Sequence, residues 1–194
     1  MTRRKTFLTI PLFVCMVAVG CAWTCTPAQE QLWEQTIINL LPVIAESAVN
    51  VATVIGTLKG GTVNQTDVAA INTWSGNVKT LTTDFQAAIT AYEKGTGTLD
   101  KINALATSLQ STAGSILPAL QVKDPKTLTT LTAAISLITT TVSEVVAAIP
   151  TIAGPKAAKA AKAHADKLST KAQYKVQWNA AVSSNPDFAA AALK

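Results

Sequence analysis

The chain has 194 residues, 48% hydrophobic and 14% charged, with a formal net charge of +5. That length is enough for one domain with a sizeable core, and three cysteines exclude a disulfide framework. The charge is uneven: three cations open the chain, six lysines face nine acids over residues 22–154, and seven lysines face Asp166 and Asp187 over residues 155–194. The basicity therefore belongs to the two ends, and a boundary is expected near Gly154-Pro155.

Thr2-Arg3-Arg4-Lys5 is a cationic head, Phe7 to Gly20 carries no charge, and the run ends in Ala18-Val19-Gly20-Cys21. A positive head, an apolar stretch of about 7–15 residues and small residues at its end make an export signal, shorter than the about 20 residues of a spanning helix. The ending resembles a bacterial lipobox, with Ala18 where that family usually has Leu. The resemblance implies that residues 1–20 are a signal peptide removed before Cys21, and that 21–26 are a short lipidated tether. It implies a covalent diacylglycerol and an N-acyl chain on Cys21, and no other cofactor. It places the protein in the bacterial cell envelope, at the periplasmic face of the outer membrane or the cell surface in preference to the inner membrane. One acyl chain anchors only marginally, at about 0.8 kcal/mol per buried methylene, so attachment takes two or three. Ordinary signal cleavage after Ala22 or Ala28 is the competing reading and yields a soluble exported protein. Arg3-Arg4 also suggests twin-arginine export, but Lys5 and Thr6 both stand before Phe7-Leu8 where that pattern has one residue. Cys15 leaves with the signal, so Cys25 is left as a lone thiol or an intermolecular link.

Residues 27–153 are expected to form an up-down four-helix bundle, all-α. Thr26-Pro27 with Gln29 is a helix start. Trp33, Ile37, Leu40, Ile44, Ala48, Val51, Ile55 and Leu58 follow at spacings of three and four until Lys59-Gly60-Gly61, with a kink expected at Pro42. Asn64 caps a second helix, with Asp67 near its positive end and Val63 and Val68 placed as a staple. Its stripe is Val68, Ile71, Val78, Leu81, Phe85, Ile89 and Tyr92, closing at Lys94-Gly95. The third stripe is Leu99, Ile102, Ala106, Leu109, Ala113, Ile116 and Leu120; the fourth is Leu128, Leu131, Ile135, Ile138, Val142, Val145 and Ile149, between Asp124-Pro125 and Pro150. Two matched stripes joined by a short connection predict an antiparallel hairpin. Thr and Val favour strands, but strand alternation would bury every second residue, and the three-four spacing runs throughout.

Residues 154–194 read as a basic, Ala/Lys-rich helical tail. Lys156, Lys159, Lys162, Lys167, Lys171 and Lys175 recur in it, Tyr174 and Trp178 share one helix face, and Asn185-Pro186 opens a final turn. Three readings stay open: an additional helix whose aromatics pack on the bundle, an arm lying on anionic lipid or an acidic envelope polymer, and a cross-linked terminus. The last uses a partial resemblance to the small murein lipoprotein of enteric bacteria, whose acylated Cys and C-terminal Lys correspond to Cys21 and Lys194. That resemblance implies attachment of Lys194 to peptidoglycan, although Ala189-Ala190-Ala191-Ala192-Leu193 departs from the basic, aromatic end of that family. The six lysines with Tyr174 and Trp178 are the candidates for membrane or partner contact. Nucleic acid is not expected as a partner of an exported chain.

Catalytic chemistry finds little support. His164 is the one histidine and Met1 and Met16 leave with the signal, so metal, haem and Ser-His arrangements lack their groups. Gly60-Gly61 and Gly95-Thr96-Gly97 lack the Lys-Ser/Thr of a phosphate loop and read as turns. The expectation is a non-enzymatic, membrane-anchored envelope lipoprotein acting as a helical structural or interaction module. The alternative is an exported apolar-ligand carrier or membrane-active bundle, with Ala48, Ala106 and Ala113 leaving room inside.

Overall fold

The computed structural model describes residues 27–58, 63–150 and 155–194, with side chains over 33–58, 63–150 and 160–194. The expected signal peptide 1–20, the tether 21–26 and Cys21 lie outside the described residues, as do the side chains of Lys156 and Lys159. The described residues form six α-helices and two 3-10 segments, with no strand among them, and pack as an all-α bundle. The helices are α1 (Pro27–Thr57), α2 (Gln65–Glu93), α3 (Leu99–Ser115), α4 (Pro125–Ala147), α5 (Pro155–Ala165) and α6 (Lys171–Ser183). The 3-10 segments are Leu117–Ala119 and Pro186–Ala191.

Side-chain oxygens start four of these helices. Asn64 Oδ1 accepts the Asp67 N–H at 2.7 Å, Thr98 Oγ1 that of Lys101 at 3.3 Å, and Asp124 Oδ2 that of Thr127 at 2.7 Å. Thr170 and Gln173 form a reciprocal capping box on α6. The bond to Thr127 also holds the Asp124 carboxyl below the usual carboxylate range. α1 runs through Pro42, whose missing N–H leaves no helical bond to the Ile38 carbonyl; Pro42 sits on the exposed side.

The first four helices alternate in direction. Gln35 at the start of α1 donates to Glu93 at the end of α2 (2.9 Å), and Trp33 lies against Tyr92 with ring centroids 6.3 Å apart. The Trp74 indole N–H donates to the Thr112 carbonyl (3.0 Å), joining the early part of α2 to the end of α3. Gln110 to Ser143 (3.2 Å) and Thr139 to the Ala113 carbonyl (3.2 Å) join α3 to α4. Between α2 and α3 the chain turns at Gly95 with φ +71°, a conformation that costs a side-chain-bearing residue about 1 kcal/mol or more. A Cβ on Gly97 would lie 2.6 Å from the Tyr92 backbone nitrogen, so this turn closes only with glycine there.

The sequence stripes are buried or, at Leu58, Val68, Leu81, Tyr92, Leu99 and Leu120, half-buried against the core, and the structure departs from the expected elements at three places. Leu128 is 39% exposed, while Thr127 and Thr130 beside it are buried. α4 is turned toward a second neighbour: the Thr130 hydroxyl meets that of Ser184 after α6, at 3.3 Å. The third helix stops at Ser115 rather than running to Leu120, because Pro118 cannot donate to the preceding turn and the chain tightens into the 3-10 segment. The expected single C-terminal helix is two, broken across 166–170, where the Thr170 cap competes with helix continuation.

Of the three readings left open for residues 154–194, the described residues take the first, with the aromatics packed on the bundle. α5, α6 and the last 3-10 segment pack on α1 and α4 and share one apolar core with them. α1 becomes the central helix, meeting α2 on one side and the C-terminal segment on another. It accordingly buries Leu41, Val43, Ser47 and Val54 in addition to its expected stripe.

Candidate interaction surface

The C-terminal segment is fastened from within. Tyr174 and Trp178, four residues apart on α6, are both fully buried and stack with centroids 6.3 Å apart and planes at 17°. The Tyr174 hydroxyl donates to Ser47 Oγ on α1 (3.1 Å), which donates to the Val43 carbonyl (2.8 Å). Burial holds the Tyr174 hydroxyl well above its ordinary pKa of 10.0, the Ser47 bond opposing only part of the shift. The Trp178 indole N–H donates to the Ala191 carbonyl (2.7 Å), and Asn50 Nδ2 reaches the same oxygen (3.3 Å). Asn179 holds Leu193 twice, accepting its N–H (2.8 Å) and donating to its carbonyl (3.1 Å).

Tyr174 and Trp178, offered both as contact candidates and as aromatics packing on the bundle, are core residues, so the contact role is corrected for these two. Their polar tips reach α1 and the chain end instead of solvent. The lysines divide differently. Lys156 and Lys159 lie on the α5 backbone, and their side chains are not among those described. Lys162 bonds Asp166 at 2.7 Å, an exposed i,i+4 pair of little energetic weight. Lys167 is exposed on the turn before α6, Lys171 is exposed at its first position, and Lys175 donates to the Lys194 main-chain oxygen. Beside Lys171 and Lys175, α6 presents Ala172, Val176 and Ala180 outward, Val176 being 71% exposed.

A second surface feature was not read from the sequence. Leu41, Pro42, Ala45, Glu46 and Val49 of α1 face Lys79, Thr82, Thr83 and Gln86 of α2 across an open groove of about 350 Å³. Past Thr83 and Gln86 it continues into a shallower depression bounded by Thr90, Lys94 and Thr96. Its signal was present as the outward residues of two adjacent helices, but which helices adjoin is a tertiary fact. Ala48, Ala106 and Ala113, expected to leave internal room, are fully buried among larger side chains.

Among the described residues no three His, Cys, Asp or Glu side chains gather as a metal site, and His164 is exposed on α5. Asp67 is buried; its Oδ1 accepts the Gln121 N–H (3.1 Å) and ties α2 to the connection before α4. This role is structural. Comparison with known proteins finds no matching family model, no matching curated protein and no matching solved structure.

Proposed function

We propose that this chain is a non-enzymatic bacterial envelope lipoprotein, held at a membrane by a diacylglycerol and an N-acyl chain on Cys21, whose helical body is a structural and interaction module. The observation that supports this reading is the place of α1. It begins at Pro27, and α2, α4, α5, α6 and the last 3-10 segment all pack on it. The connection 21–26 spans at most about 20 Å when fully extended, so an anchor at Cys21 would hold a rigid body close to the bilayer. The partner is an envelope protein or an acidic envelope surface met by the basic C-terminal segment, not nucleic acid.

Intact mass of the protein extracted from membranes with detergent, for wild type and Cys21→Ala, tests the anchor. A chain beginning at Cys21 with acyl groups, lost in the variant, is the expected result. An unmodified chain beginning at Trp23 or Gln29 overturns it.

One observation favours a second reading, an exported apolar-ligand carrier or membrane-active bundle. Trp33–Thr57 and Pro125–Ala147 are long and apolar enough to cross a membrane, with mean hydropathy 1.6 and 1.4. The core helix of a water-soluble bundle meets the same criterion. Dye release from vesicles by the purified protein would bring this reading forward; binding of no apolar probe and no release would dismiss it.

A further inference from the structure

The C-terminal segment has two faces with different chemistry. Its inner face is apolar and committed: Leu168, Tyr174, Trp178, Val182, Phe188 and Leu193 are buried against α1 and α4. Its outer face carries Lys167, Lys171, Lys175 and Lys194 beside a small apolar crest of Ala172, Val176 and Ala180, with Gln173 and Gln177 on the crest's other flank. The bond from Lys175 to the Lys194 main-chain oxygen brings the last residue beside α6, so cations from two parts of the chain share this side. Of the acids of residues 155–194, Asp166 is engaged by Lys162, and Asp187 follows the far end of α6. The helices α6 packs on carry exposed Glu46 on α1 and Glu144 on α4, and Glu46 lines the groove toward α2 instead.

We infer that this outer face of α6 docks on an anionic phospholipid surface, without opening the bundle. The inference rests on the membrane attachment proposed above, and deepens it by naming the face. Charge complementarity selects an anionic partner, each lysine near such a surface raising its affinity about fivefold. The exposed Val176 crest selects a lipid interface over a soluble polymer. Lysine stems lie along apolar surface while their heads meet phosphate, and an apolar crest beside them has a place to go at the headgroup boundary. Geometry adds an orientation. α6 lies along the side of the bundle, its Tyr174 level with Ser47 in the middle of α1, while α1 starts near Cys21 at one end. Contact at both places lays the bundle along the membrane, not upright on its tether.

The test is lysine acylation, read residue by residue by mass spectrometry, of the full protein on two kinds of vesicle: phosphatidylcholine alone, and the same lipid with a third phosphatidylglycerol. Lys167, Lys171, Lys175 and Lys194 are expected to react about threefold or more slowly on the anionic vesicles, while Lys79 on α2 and Lys101 on α3 keep their rates. High salt should restore the four rates. Lys171→Gln, at an exposed position, should weaken protection of the other three and leave the melting temperature unchanged. Equal rates on the two vesicles, or protection spread alike to Lys79 and Lys101, would overturn the inference. Stronger protection by soluble polyphosphate than by vesicles at matched phosphate would assign the face to an acidic polymer instead. Loss of the Cys21 acyl chains changes association with both vesicle types alike, so failure of the anchor is distinguishable from failure of this face.

Discussion

Replacing Trp178 by Ala puts the integration of the C-terminal segment to the sharpest test. The side chain is fully buried, stacked on Tyr174, and donates to the Ala191 carbonyl at 2.7 Å. Truncating a buried Trp costs about 3–5 kcal/mol through lost transfer energy and the cavity left behind. Ala191 keeps the Asn50 bond, so its carbonyl is not orphaned, and the central part of that range is expected. For a body of this size each kcal/mol moves the melting temperature by about 2–4 °C, so a fall of about 8–16 °C follows. Thermal unfolding by circular dichroism measures it. Trp178→Phe, which keeps most of the ring and loses the indole N–H, should cost about 1–2 kcal/mol and separate the bond from the packing. A loss under about 1 kcal/mol for the Ala variant, or a separate early transition confined to the C-terminal segment, would refute the shared core.

Gly97→Ala should destabilise by more than about 1 kcal/mol in urea unfolding, because the new methyl meets the Tyr92 backbone at 2.6 Å and no flexible side chain can yield. Gly95→Ala should cost about 1 kcal/mol through its positive φ alone, since open space surrounds it. Alkaline pH should also weaken the fold. The Tyr174 hydroxyl has a raised pKa in the native state, so above about pH 10 the unfolded chain releases a proton that the native state keeps. The unfolded state then binds fewer protons, stability falls as pH rises, and the contribution is intact below about pH 10. Tyr174→Phe should flatten that limb of a stability-against-pH curve; an unchanged slope would place its cause elsewhere.

What the sequence disclosed was period and punctuation. Asn64, Asp124-Pro125 and the three-four spacing located helices because caps and stripes are local. Trp74, three after Ile71 and four before Val78, continues the α2 stripe, and its indole makes it the anchor between α2 and α3. Pro118 was equally legible, yet the stripe through Leu120 overrode it. Other features were not legible at all. A stripe reports one buried face, whereas α1 and α4 each have two, and the second face of α4 is made of Thr127, Thr130 and Thr141. Thr130 gives no apolar signal, and only the arrival of Ser184 explains its burial. Likewise the lysines of the C-terminal segment suggested a solvated arm, while Tyr174 and Trp178 carried the opposite message. Burial of two aromatics, at about 1.5–3 kcal/mol or more each, outweighs lysine solvation that the folded segment need not give up.

The character of the remaining surface follows from how its hydroxyls are used. Thr83, Thr90, Thr129 and Ser143 each donate to a backbone carbonyl four residues earlier, at 2.8–3.0 Å. A hydroxyl bonded in this way has no proton left for solvent or a partner, and the threonines turn a methyl and two acceptor lone pairs outward. The helix faces are thus less hydrophilic than their Thr and Ser content implies, and with 14% charged residues they have little long-range repulsion. Such faces suit close contact once a partner or membrane has been brought near, and they supply little attraction at a distance. Long-range attraction falls to the lysines around α6. The proposed lipid at Cys21 and the proposed basic docking face would therefore act in sequence: the first would confine the body to the membrane, and the second would set which side of it lies down.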